Sequence, residues 1–146
     1  MIEPFEYYEK ENLVRKGSPD KQEALSLMRK ALDRMEYVKE QIMSDKTASF
    51  VFEDIYESIR EASQALMELI GYKPYSHEAV IAFLRDFHKI NESEFNSFNR
   101  YRILRNKCIY RGARVTEDTC KEAFEFMVIF IPKLKKIFTE VSKVSL

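Results

Sequence analysis

The sequence predicts an all-α fold, an up-and-down helical bundle of about five helices with an antiparallel core, and three observations predict it. Apolar residues recur at spacings of three and four over long stretches. The 146 residues contain only three Gly and four Pro, too few turn formers for a many-stranded sandwich or barrel. Capping residues stand in front of each periodic stretch. A chain that is 45% hydrophobic and 33% charged can bury a core without a disulfide or a structural metal.

Two regions are expected: an N-terminal arm or short helix over residues 1–17, and the helical bundle over residues 18–146. The segment Met1 to Gly17 is acidic and aromatic, with Phe5, Tyr7 and Tyr8. It can dock on the body as a helical turn or remain a loose arm. Ser18, Pro19 and Asp20 then form a helix start, with Ser18 as the cap and Pro19 in the first helical position. Leu25, Met28, Leu32, Met35, Val38 and Ile42 carry this first long helix to about Ser44. Thr47 caps a second, through Val51, Phe52, Ile55, Ile59, Leu66, Met67 and Ile70, which stops at Gly71. So short a link makes the two antiparallel.

Gly71 to Ser76 is the clearest break, and Ser76 can cap a third helix from His77 to about His88. Asn91 or Ser93 opens a fourth that runs to Gly112. Thr116, with Glu117 and Asp118 behind it, opens a fifth that reaches about Ser142 and should kink at Pro132. Its apolar residues Phe124, Met127, Val128, Ile131, Leu134 and Phe138, with Phe126 and Phe130 on other sides, make it the expected most buried helix or a partner-facing one. No internal repeat is visible.

Net charge is zero, from 24 basic and 24 acidic side chains, so attraction to a polyanion must come from local clustering. Cys108 and Cys120 form no C-x-x-C pair and read as small apolar residues. No metal and no cofactor are expected. The start lacks the pattern of a signal peptide and no apolar run suits a membrane span, so a cytoplasmic protein is expected. His77 and His88 are not at metal-ligand spacing. His77 reads as a local hydrogen-bonding or capping residue and His88 as exposed.

The local cluster lies on the fourth helix. From Arg100 to Arg114 there are six basic residues (Arg100, Arg102, Arg105, Lys107, Arg111, Arg114) and no acid. Cations near a helix C-terminus on a solvated face would explain some of this. Arg105 is different, because Phe98, Tyr101, Leu104, Cys108 and Ile109 share its side of the helix. A guanidinium keeps its proton, so in an apolar stripe it needs an anionic partner or a crevice open to water. Either it pairs with an acid of a neighbouring helix, Glu57 or Glu61 being the candidates, or it lines a cleft that receives phosphate. Arg102, Asn106 and Tyr110, four residues apart, form a polar ridge beside it.

The run Arg105, Asn106, Lys107, Cys108, Ile109, Tyr110 resembles the R-N-x-x-x-H signature near the end of a late helix in HEPN domains (higher eukaryotes and prokaryotes nucleotide-binding). Tyr75, Ser76, His77, Glu78, Ala79, Val80, Ile81 resembles the stretch that opens an earlier helix there. The resemblance covers roughly Lys21 to Lys136. It implies a bundle that often dimerises with the signature of each copy facing a shared cleft. Many members are metal-independent endoribonucleases, often toxins paired with a minimal nucleotidyltransferase, and others bind nucleotide or RNA without cutting it.

Carried over by position, Arg105 would hold phosphate and Asn106 would support it. The histidine position is Tyr110, whose ordinary pKa of about 10 makes it a poor general base at neutral pH. The expectation is therefore nucleotide or RNA binding through Arg102, Arg105, Asn106, Tyr110 and Arg111, without efficient catalysis. The alternatives are an endoribonuclease using Arg105 and Tyr110, and an adaptor bundle that binds a protein partner. Arg105 and Tyr110 lie about 140° apart on an ideal helix, so they converge only if the helix is distorted or two copies contribute.

Overall fold

The computed structural model describes residues 1–88 and 90–146. Among the described residues there are six helices: α1 (Phe5–Lys10), α2 (Lys21–Lys39), α3 (Ala48–Leu69), α4 (His77–Phe87), α5 (Glu92–Arg111) and α6 (Glu117–Ser142). Two three-residue strands, β1 (Val14–Lys16) and β2 (Tyr72–Pro74), accompany them. The all-α bundle is therefore the observed fold, with one more helix than expected and a small sheet that helical periodicity does not announce.

α3 is the axis of the molecule. Residues are buried on all its sides, among them Phe52, Ile55, Tyr56, Ile59, Ala62, Ala65, Leu66 and Met67. It makes the most extensive contact with α2 and the next most extensive with α6. Small side chains let the backbones approach, and Ser58 donates its hydroxyl to the Ala31 carbonyl of α2 at 2.8 Å. The pairs Asp20 with Glu68, Ala31 with Ser58 and Arg34 with Asp54 run in opposite directions along the two helices, which makes them antiparallel. α6 buries one stripe only, Cys120, Ala123, Met127, Phe130, Ile131, Leu134 and Phe138, and leaves Phe124 and Val128 half-covered. α3, not α6, is thus the most buried helix, because it is enclosed by α2, α4, α5 and α6.

Several boundaries differ from expectation. Asp20, not Ser18, caps α2 by accepting from the Glu23 N–H at 3.0 Å. α2 stops at Lys39 rather than near Ser44, because the Glu40 and Gln41 amides close tighter bonds to the Tyr37 and Val38 carbonyls. Ile42, though in phase with the apolar stripe, is 80% exposed. Thr47 precedes α3 without capping it: its hydroxyl donates to the Ile42 carbonyl at 2.6 Å and accepts from the Ser44 N–H at 3.0 Å. The predicted caps Ser76, Asn91 and Thr116 all act as such, Asn91 in a reciprocal capping box with Glu94. α6 runs as one helix through Pro132.

Of the two possibilities for the N-terminal segment, it is docked. β1 pairs antiparallel with β2, Val14 opposite Pro74 and Lys16 opposite Tyr72. Asp86 accepts from the Phe5 N–H, and Arg85 donates to the carbonyls of Ile2 and Glu3. Phe5 sits edge-on to Tyr72, Phe83 and Phe87. The crossing is tight where Gly17 donates to the Gly71 carbonyl at 2.7 Å. A β-carbon on Gly71, whose φ is +91°, would meet the Gly17 carbonyl oxygen at 2.2 Å, so only glycine fits there.

Candidate nucleotide-binding site

α5 is held by two aromatic anchors. Phe98 meets Tyr56 and Phe130 edge-on, each at 6.1 Å. Tyr101 packs on Phe52 and Phe126. These are its only fully buried residues. Beyond Tyr101 the helix rides on half-buried Leu104, Arg105 and Cys108, while Ile109 on the same side is already exposed. α5 runs unbroken to Arg111 and ends at Gly112 in the left-handed conformation.

The three-four spacing from Phe98 and Tyr101 brings Arg105 to the edge of the seam with α3. Its guanidinium carbon lies 5.8 Å from the centre of the Tyr56 ring. Its hydrogen-bond partner is the side-chain oxygen of Asn106 at 3.3 Å, and no carboxylate lies within 4 Å among the described residues. The two acids expected as partners are taken elsewhere. Glu57 is held by Arg60, one turn along α3, and Glu61 by Arg34 of α2. Neither acid is left to pair with Arg105, and the cation is half-buried at the seam with only the Asn106 amide beside it among the described residues.

Arg102 lies on the same inner side with its side chain only 12% exposed. It donates to Asn99 at 3.0 Å and comes within 3.6 Å of Glu78, the second residue of α4. Arg100 points away and is neutralised by Glu122 of α6. Lys107, Arg111 and Arg114 are exposed.

The structure adds residues that spacing alone does not nominate. Tyr56 is the hub: its ring carries Arg105 on one side, Phe98 on its edge, and the His77 ring stacked at 5.7 Å with 12° between the planes. The Tyr56 hydroxyl and His77 Nδ1 are hydrogen-bonded at 2.8 Å. Burial pushes the Tyr56 phenol well above its ordinary range, although Arg105 and Arg102 pull the other way. Burial, then Arg105 and Arg60, push His77 down to about 4, so at neutral pH it is uncharged. His77 is thus tied across helices rather than capping its own. His88 is half-buried rather than exposed, because it closes α4 against Phe83.

This arrangement has a stability signature. The unfolded chain protonates His77 near 6.5 and the folded chain only near 4, so acidification through that window favours unfolding. Allowing for the ring's partial exposure, about 2 kcal/mol of stability should be lost between pH 7 and 4. Denaturant melts of wild type and His77→Gln should differ by this amount, and parallel pH profiles would contradict it.

The remaining predicted residues lie apart. Asn106, Tyr110 and Arg111 line a shallow groove of about 290 Å³ with Ile103 and Lys107 on the outer face of α5. Tyr110 is 76% exposed. The helix is not distorted to bring Tyr110 beside Arg105, so the predicted set splits: Arg102 and Arg105 inside, Tyr110 and Arg111 outside, and Asn106 between them.

No group of three His, Cys, Asp or Glu residues that could hold a metal ion occurs among the described residues. Burial raises the Cys108 thiol, helped by Glu53, and raises Cys120 to about 11. None of the described helices is long and apolar enough to cross a membrane. Compared with known proteins, the chain matches no family model, no curated protein and no solved structure.

Proposed function

We propose that this chain binds nucleotide or RNA in the manner of HEPN domains, with Arg105 as the phosphate contact and Arg102 and Asn106 beside it. The observation that carries the proposal is the state of Arg105. A half-buried guanidinium with a neutral amide as its only hydrogen-bond partner among the described residues is poorly compensated, and a phosphate oxygen supplies what it lacks. The outer groove with Tyr110 and Arg111 extends the basic surface along a longer ligand.

The exposed apolar residues Ile103 and Tyr110 on the outer face of α5 support a homodimer built on this helix. Membership of a toxin and antitoxin or related regulatory module, with a minimal nucleotidyltransferase as partner, belongs to the same proposal and rests on the motif resemblance. Binding is better supported than cleavage. Within one chain Tyr110 and Arg105 occupy different faces, and cleavage would need the tyrosine of a second copy.

RNA binding should weaken about tenfold or more in Arg105→Ala, the size expected for loss of a charge-assisted phosphate contact. Arg100→Ala, which removes a cation already neutralised by Glu122, should bind as wild type does. Equal affinity of Arg105→Ala and wild type in a filter or anisotropy assay would sink the assignment.

A further inference from the structure

The charges around Arg105 count in a way that selects among phosphates. From α3, Arg60 is balanced by Glu57. From α5, Arg102 is balanced by Glu78 of α4. From α1, Tyr8 borders Glu78 and Arg102 and brings no charge at neutral pH. Of these described groups around the Tyr56 ring Arg105 alone is left without a carboxylate partner, so the resting site offers one uncompensated cation. That matches the single negative charge of a phosphodiester and falls one short of a terminal phosphate, which carries nearly two at neutral pH.

The missing charge has an obvious bearer. His77 is hydrogen-bonded through Nδ1 to the hydroxyl of the Tyr56 ring that Arg105 flanks, and its Nε2 has no hydrogen-bond partner among the described residues. We propose that His77 is the second cation of this site, taking up a proton from solvent when a phosphate monoester settles against Arg105, so that the ligand recognised is a terminal phosphate. The inference rests on the proposed phosphate contact at Arg105 and names the ligand class for it.

The hydrogen bond to Tyr56 accommodates both states. A hydroxyl donates to a bare Nδ1 and, turned about its C–O bond, accepts from a protonated one. Nε2–H remains a donor to the ligand throughout. The free ring is kept neutral by burial and by the cations Arg105, Arg60 and Arg102, with Glu57 opposing them. A bound dianion offsets those cations and reverses their effect on the ring. No bond other than those to the proton is made or broken.

The chain has two histidines, so a His88→Gln variant assigns the ring signals by elimination without touching the site. The test is the nitrogen chemical shifts of the His77 ring at about pH 6.5, above the second ionisation of a phosphate monoester near 6. Three probes are titrated to saturation: AMP, a short RNA with a 5′-phosphate, and the same RNA with a 5′-hydroxyl. The free ring should be neutral, and the two monoesters should make it predominantly cationic, a change of roughly 300-fold or more in proton affinity. The 5′-hydroxyl RNA should leave it neutral.

If the phosphorylated RNA binds at least tenfold tighter than AMP, the ligand is an RNA end; comparable affinities assign a free nucleotide. In His77→Gln the preference for phosphorylated over hydroxyl RNA should disappear while RNA binding persists. A ring that stays neutral with AMP bound, or that is charged equally by the 5′-hydroxyl RNA, overturns the inference and leaves the phosphate contact at Arg105 standing. Failure of all three probes to bind overturns both.

Discussion

Arg34→Ala should lower the unfolding free energy by about 3 kcal/mol, because it strands a buried carboxylate. Glu61 is only 3% exposed on α3 and takes the Arg34 Nε at 2.9 Å, while the same guanidinium donates to Asp54 at 3.0 Å. The bond to Glu61 is the largest influence on Arg34 and raises its pKa, as expected of a pair that holds both charges. Lys30, at 3.9 Å from Glu61, is well exposed and compensates only in part. The cost belongs to the unpaired charge, so Arg34→Ala combined with Glu61→Gln should be less destabilised than Arg34→Ala alone. Urea melts of the four proteins in this cycle measure it. Equal losses with and without the Glu61 carboxylate would place the effect in packing.

Phe83→Ala should cost about 3 to 5 kcal/mol, the range for deleting a buried ring. Phe83 is fully buried where α4 meets the N-terminal segment, stacked on Phe87 at 4.8 Å and edge-on to Phe5 and Tyr72. Its removal takes away the surface on which Phe5 rests, so the segment before β1 should loosen as well as the core. Amide exchange should therefore speed up at residues 5–10 by more than at α3. Uniform acceleration across both would contradict the view that this aromatic group is what clamps α1.

The long helices were legible because each carries its own apolar stripe and most carry their own caps. Where the chain alone misleads, the deciding contact comes from elsewhere. Ile42 continues the stripe of α2 in phase, yet α2 ends at Lys39 and nothing covers it. β1 and β2 are three residues each, and their pairing joins positions about 60 apart, beyond any local pattern.

The candidate site divides in the same way. That Arg105 would be half-buried follows from its three-four spacing with Phe98 and Tyr101. Its neighbours do not follow, because Tyr56 and His77 come from two other helices and neither differs in sequence from an ordinary core tyrosine or a first-turn histidine. The acids Glu57 and Glu61 were reasonable partners for Arg105 by proximity of helices. Arg60 and Arg34 claim them because one lies a single turn away and the other directly across the α2–α3 contact.

The claim that Arg105 holds phosphate is tested most directly by the salt dependence of RNA binding. The logarithm of the association constant should fall linearly with the logarithm of salt concentration, and Arg105→Ala should reduce the magnitude of that slope by about 0.7, the counterion released by one phosphate contact on a single strand. A slope that is the same in wild type and Arg105→Ala would show that the phosphate lies elsewhere.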